Sequence, residues 1–313
     1  MLTRRHIRIK VMQSAYSFSH RENSKFEDEM KFFEASVSQS YDLYVSLLGL
    51  IKSLMDFNVD QLKTYKELGS EEVKFKHLKH LSQNKVLLMI QKHPVLEKKL
   101  KSKKAIRWDL EFVFLKELLD RITTNKTFAE YQKIPDPTWE EDIKWFAKCF
   151  KNDIAASDYL YDFLEDQHLT WIDDLPLVNT FLSKTLKQLK SDQMGSLPFP
   201  EYFKSEEDVL FGRELLEKVI ANDEKLQLEL EGKTPNWDAD RIALLDRVIL
   251  KIAITELLFF PSIPSKVTLN EYLEIAKDYS TPNSNNFVNG VLDKLVKEFE
   301  QENRLNKSGR GLL

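Results

Sequence analysis

Arg4, Arg5 and Arg8 are the residues whose type and spacing most plainly suit a chemistry, and that chemistry is phosphate binding. A guanidinium presents a planar fork of donors that meets two phosphate oxygens at once and can also lie flat on a base. Residues 2–20 read as one amphipathic helix. Ile7, Val11, Ser14 and Phe18 recur at helical spacing and make the face to be buried. Arg5, Ile9, Met12 and Tyr16 form a second line about two-thirds of the way round the helix at ~100° per residue, with Arg4 and Arg8 between the lines. Tyr16 offers a ring for a base to lie against. As far as Arg21 the chain holds Arg4, Arg5, Arg8, Lys10, Arg21, His6 and His20, and no acid. A solvated basic face near a chain terminus would have the same pattern, so spacing leaves both readings open.

A second basic run comprises Lys98, Lys99, Lys101, Lys103, Lys104 and Arg107. Such a run is ordinarily a solvated loop or helix end. The sharper reading is an auxiliary contact to an RNA backbone. Marks of catalysis are few. The glycines never cluster into a phosphate-cradling loop. His77 and His80 sit three apart on an expected helix without a partner at ligand spacing, which favours solvated histidines over a metal site. Glu140-Glu141-Asp142 and Glu206-Glu207-Asp208 fall at helix starts, where carboxylates complement the dipole. Cys149 has no evident base beside it and reads as a buried thiol. The expectation is a protein that is not an enzyme and needs no cofactor and no metal.

The elements that must position the arginines are helices. The chain has 313 residues, 42% of them apolar, with only 8 glycines and 10 prolines, enough for a sizeable core in two domains. One cysteine excludes an internal disulfide framework and suits a reducing cytoplasm. The basic N-terminus lacks the apolar run of a secretory signal, and uncharged stretches such as 43–51 are too short to cross a bilayer. Net charge is −4, so the arginine helix is a positive island on a mildly negative protein.

Between Ala239 and Phe260, Ile242, Leu245, Ile249 and Ile252 keep helical period. Leu244, Val248 and Leu258 widen the stripe until little polar face remains, as in a helix packed on several sides. Asn236 or Asp238 would cap it, and Pro261 and Pro264 forbid its continuation. Thr268-x-x-Glu271 has capping-box spacing, predicting a helix from there to about Tyr279. After the turn Thr281-Pro282-Asn283-Ser284, a last helix buries Phe287, Val291, Leu292, Leu295 and Phe299. Gly290 inside it suggests a close helix–helix approach. Upstream, Phe26–Phe57 reads as one helix or two, followed by helices over 71–93, 105–124, 140–167 and 177–190. Residues 301–313 are expected to be a disordered tail.

Residues 236–295 resemble the C-terminal half of the NusB family of transcription antitermination factors. The resemblance is carried by Arg241-Ile242, Asp246-Arg247, Glu256-Leu257-Leu258, Pro264-x-Lys266-Val267, Asn270-Glu271, Glu274-Ile275-Ala276-Lys277 and the run 287–294. Arg4-Arg5-x-x-Arg8, Gln13 and Tyr16 are similar to the family's arginine-rich start, and Phe211-Gly212-Arg213-Glu214-Leu215-Leu216 to a helix that completes its N-terminal subdomain. The fold so implied is all-α: a NusB-like bundle of two packed helical subdomains with a large helical insert. Its parts would be the arginine-rich helix at 1–21, an insertion domain at 22–200 that nothing in the resemblance explains, and the bundle at 201–300. His6 stands where a third arginine often sits, and Ile9 and Lys10 also depart from the pattern.

The resemblance further implies RNA binding. NusB proteins bind single-stranded boxA RNA of nascent ribosomal RNA transcripts with NusE, a small-subunit ribosomal protein, and act on the RNA polymerase elongation complex. Arg4, Arg5 and Arg8 would then hold phosphates, Gln13 hydrogen-bond and Tyr16 stack. Asn283, Ser284, Phe287 and Asn289 would join them from the turn beside the arginine helix. Glu256 and Arg213 would lie near the NusE surface. The opposing expectation is a helical scaffold that binds only proteins. A NusB-like domain also precedes the catalytic domain of ribosomal RNA cytosine methyltransferases, but the residues after Leu295 hold no Gly-rich cofactor loop and no cysteine. The RNA-binding reading requires the first helix to dock on the final third with its guanidiniums not consumed in internal ion pairs.

Overall fold

The first helix, α1 (Arg4–His20), buries Ile7, Val11 and Ser14 as its period predicts, with Leu2 just ahead of it also buried. The computed structural model describes residues 2–21, 23–69, 73–102, 104–191, 197–199, 206–231 and 243–308, and among them every regular element is helical. The chain divides into two compact units, residues 1–37 with 201–313, and residues 38–200.

In the first unit α1 is joined by the opening turns of α2 (Phe26–Glu67) and by α11 (Glu206–Ala221), α12 (Asp223–Leu230), α13 (Leu244–Phe259), α14 (Ser265–Tyr279) and α15 (Ser284–Gln301). α13 is the centre, packed against α1, α11, α12, α14 and α15. Its Ile249, Leu250, Ile252, Ala253 and Ile254 are fully buried, each large one contributing roughly 1.5–3 kcal/mol. The expected caps Asn236 and Asp238 and the Arg241-Ile242 pair lie outside the described residues. Phe260 closes α13 just before Pro261.

Three expectations are corrected here. α14 starts directly after Pro264, not at Thr268, because Thr268 and Glu271 are engaged by neighbouring helices. Gly290 is exposed, and a methyl group built on it meets nothing within 4 Å. The close approach belongs to Gly212 instead, where a Cβ would stand 2.5 Å from the Phe33 ring and 2.7 Å from an Ile7 methyl. Nor is the tail free as far as Ser308. Arg304 donates to Glu229, Lys307 Nζ donates to the Glu256 and Phe260 carbonyls at 3.1 Å, and Ser308 N donates to the Pro261 carbonyl at 2.9 Å. Lys307 thereby places a cation on carbonyls at the C-terminal end of α13, where the helix dipole favours positive charge.

The second unit is built from the remainder of α2, α3 (Val73–Leu81), α4 (Lys85–Gln91), α5 (Pro94–Leu100), a 3-10 turn (Trp108–Leu110), α6 (Phe112–Thr124), α7 (Lys126–Tyr131), α8 (Trp139–Cys149), a π turn (Phe150–Ile154), α9 (Asp158–Gln167) and α10 (Trp171–Gln188). α2 is one helix. The expected helices over 71–93 and 140–167 are each broken where a polar side chain starts a new one. Asn84 Oδ1 accepts from Leu87 N at 2.9 Å, and Ser157 Oγ accepts from Leu160 N at 3.3 Å. Pro94 does not end a helix but opens α5 at its first position, where its missing N–H costs nothing.

Candidate nucleic-acid interface

α1 docks on the globule of its own unit, lying against α11 and α13. Its arginines are not equivalent. Arg8 is 3% exposed and Glu256 fully buried, and they meet through two parallel bonds, Nε to Oε2 at 2.8 Å and Nη2 to Oε1 at 2.9 Å. Thr268 Oγ1 and the Tyr272 hydroxyl also donate to the Glu256 carboxylate, at 2.8 and 3.1 Å. The Arg8 guanidinium lies 5.2 Å from the Phe211 ring centroid and 5.9 Å from that of Tyr272. Burial, the largest single influence, works to lower the Arg8 pKa, but the bond to Glu256 and the charges of Tyr272, Glu256 and Glu271 together exceed it and the balance is upward. Burial also pushes the Tyr272 phenol well up.

The expected phosphate contact by Arg8 is therefore corrected. Removing one partner of such a pair costs about 3–5 kcal/mol, far more than a surface phosphate contact returns. Glu256 itself is buried, so a partner surface near it would be made by its neighbours, among them Arg213, half-exposed and paired with Glu34 at 2.6 Å. A single acid inside the apolar run 248–258 was the available signal, since a buried carboxylate requires a buried cation.

Arg4 and Arg5 stand differently, with side chains 38% and 42% exposed. Arg4 Nε donates to Asp208 at 2.7 Å, and Arg5 makes two bonds to Glu271 at 2.8 and 3.0 Å. The bond to Glu271 raises the Arg5 pKa, and the bond from Arg5 lowers that of Glu271. The guanidinium ends are open to solvent, although Asp208 and Glu271 are only 10% and 20% exposed. Glu271 also has Arg8 Nη1 at 3.8 Å, so Arg5 can exchange its carboxylate for a phosphate without stranding that acid. With His6, Ile263 and Pro264 they line an open groove of about 630 Å³. His6 fills its place as the third helical residue of a capping box. Thr3 Oγ1 lies 2.6 Å from its Nδ1, and burial, then Arg5 and Lys10, lower its pKa to about 4.

Farther along α1, Gln13 is half-buried and Tyr16 is 36% exposed, its ring stacked on His20 at 5.8 Å and 13°. Met12, expected on the same line, is buried. α14 ties together what the sequence expected to be adjacent. Its Glu271 holds Arg5, and two residues on its Leu273 carbonyl accepts from Asn285 at the start of α15. Asn283 is exposed and Asn289 half-buried with its amide on Asp293 at 3.2 Å. Ser284 and Phe287 are buried. Ser284 Oγ donates to Asp246 at 2.7 Å and fixes α15 to α13, so neither side chain is presented as an open contact.

In the other unit, His77 and His80 face the Phe128 ring, and among the described residues no group of three His, Cys, Asp or Glu could hold a metal. Cys149 is buried, and burial raises its pKa. Lys98, Lys101 and Lys104 are exposed, Lys99 lies over the Tyr41 and Phe199 rings at 4.9 and 5.4 Å, and Arg107 pairs with Asp109. Lys103 lies outside the described residues. Among those described, no helix is long and apolar enough to cross a membrane.

The profile of the NusB family matches residues 178–297. The chain is 44% identical over 103 residues to the transcription antitermination protein NusB of Salinibacter ruber, covering 33% of this chain and 64% of that protein. It is 40% identical over 99 residues to the protein of the same name from Chloroherpeton thalassium, covering 32% and 47%. With that of Pseudothermotoga lettingae the identity is 48% over 90 residues, covering 29% and 61%. The chain thus spans less than two thirds of the length of each of these relatives. No solved structure matches it. The bundle that receives α1, with its Glu256-Leu-Leu helix and the run from Phe287, falls within the matched stretch, so it is residues 178–297 that match the NusB family.

Proposed function

We propose that this protein is a transcription antitermination factor that works by binding, not by catalysis. It grips boxA-type single-stranded RNA of nascent ribosomal RNA together with NusE, in the RNA polymerase elongation complex. The observation that carries the reading is the pair Arg4 and Arg5, half-exposed on a helix that docks against the NusB-family bundle. Arg4 and Arg5 hold phosphates, Gln13 hydrogen-bonds, and Tyr16, already parallel to His20, supplies the stacking surface. Asn283 and Asn289 extend the polar edge from α15. Arg8, Ser284 and Phe287 serve from within by holding α1 and α15 in place.

Two neutralised phosphates give a log K against log salt slope of about −1.4 on single-stranded RNA. The test is a titration of the full chain with boxA-type RNA at several salt concentrations, with and without NusE. Arg4→Ala combined with Arg5→Ala is expected to weaken binding and flatten the slope while leaving the melting temperature nearly unchanged. Unchanged affinity and slope would remove α1 from the RNA surface. A scaffold that binds only proteins is the second reading, favoured by the fact that Arg4, Arg5 and Arg8 all have carboxylate partners. Recovery of NusE without any RNA affinity would establish it.

A further inference from the structure

The unit of residues 38–200 carries a face that RNA binding leaves unused. Leu110, Phe112 and Val113 are 63%, 62% and 68% exposed where the 3-10 turn meets α6. Their neighbours Trp108 and Phe114 point the other way, buried against Phe163 with ring centroids 5.0 and 5.1 Å away. The core is closed without the outward set. Tyr159 on the first turn of α9 extends the patch. It is 42% exposed, stacks on Phe114 at 4.7 Å and 15°, and lies near Glu117, one turn beyond Val113. A contiguous apolar surface with a polar edge is the form of a protein-binding site.

The edge is mainly acidic. Residues 158–167 hold Asp158, Asp162, Glu165 and Asp166 and no base, and Glu111 and Glu117 border the patch from α6. Arg107 is neutralised by Asp109 at 2.6 Å, and the cations that α6 brings are Lys116 and Arg121, the latter engaged with Ser157 Oγ at 3.1 Å. We propose that this face docks a basic protein segment bearing apolar side chains. Phe112, Val113 and Tyr159 give the affinity, and the acidic edge selects the charge. RNA would meet carboxylates with phosphates, and a second copy would set this acidic edge against itself in a two-fold contact.

The test titrates the full chain with a labelled amphipathic Leu–Lys peptide of about eighteen residues, and with its Leu–Glu counterpart as control. The Leu–Lys peptide is expected to bind, more weakly as salt rises, and the Leu–Glu peptide not to bind. Phe112→Ser with Val113→Ser, and separately Asp162→Lys with Asp166→Lys, should each weaken binding about tenfold or more at an unchanged melting temperature. Equal binding of both peptides, no binding of the basic one, or variants that bind as tightly as the parent would overturn the proposal. Self-association abolished by the Phe112 and Val113 changes would overturn it too, giving the face to a second copy.

Discussion

Arg8 and Arg5 sit one turn apart on α1 and both meet a carboxylate through two bonds, yet their environments give them opposite uses. Arg8→Ala would leave Glu256 buried without its cation and is expected to cost about 3–5 kcal/mol in chemical denaturation. Arg5→Ala removes a half-exposed guanidinium and leaves Glu271 with Arg8 at 3.8 Å, so it should cost less, about 1 kcal/mol. Equal losses would mean that exposure does not divide the cluster. His6 adds a pH dependence. Its folded pKa of about 4 lies below the ordinary 6.5, so between those values the unfolded chain binds more protons. Stability present above about pH 6.5 is thus lost as pH falls towards 4. His6→Gln keeps a capping side chain without the titration, so its stability should depend less on pH across that window. Spacing alone placed Arg4, Arg5 and Arg8 on one flank. What it did not disclose was their carboxylates, because Glu256 and Glu271 lie 248 and 266 residues away in sequence from the arginines they bind. Only folding brings those charges together.

Periodicity located most helices of the final third, since a buried stripe repeats whatever its neighbours are. Phe287, Val291, Leu292, Leu295 and Phe299 are all buried as α15 requires. Boundaries were less legible, because Thr, Ser, Asn and Pro each serve a cap, a turn or a tertiary bond with equal ease. Thr268 looked like a cap and is a donor to Glu256, whereas Asn84 and Ser157 looked interior and are caps. Gly212 and Gly290 make the same point in opposite directions. Gly212→Ala drives a methyl into Phe33 and Ile7, which hold α1 in place, and should destabilise by about 1–3 kcal/mol. Gly290→Ala meets open space and should stabilise by up to about 1 kcal/mol through helix propensity. Thermal melts of the two variants moving in the same direction would contradict this account.

At the scale of the whole chain, each unit is secured by its own buried polar group. In one it is Glu256, accepting from Arg8, Thr268 and Tyr272. In the other it is Asp142, which accepts from the Tyr131 hydroxyl at 2.5 Å and from Lys85 N at 2.7 Å and so joins α4, α7 and α8. Asn84 donates to the same hydroxyl at 2.9 Å. Family likeness made the first unit legible. The second was visible only as apolar period, because a network such as Asn84–Tyr131–Asp142 has no fixed spacing to read. Losing either acceptor leaves donors stranded in low dielectric, a penalty confined to the elements that supply them. Arg8→Ala should therefore speed amide hydrogen exchange in α1, α13 and α14. Asp142→Ala should do so in α4, α7 and α8. Each segment opens at a free energy set by the bonds that tie it down, so the two patterns should not overlap. Faster exchange throughout both units from either substitution would show a single cooperative structure, and the division at residues 37 and 200 would then have no energetic meaning.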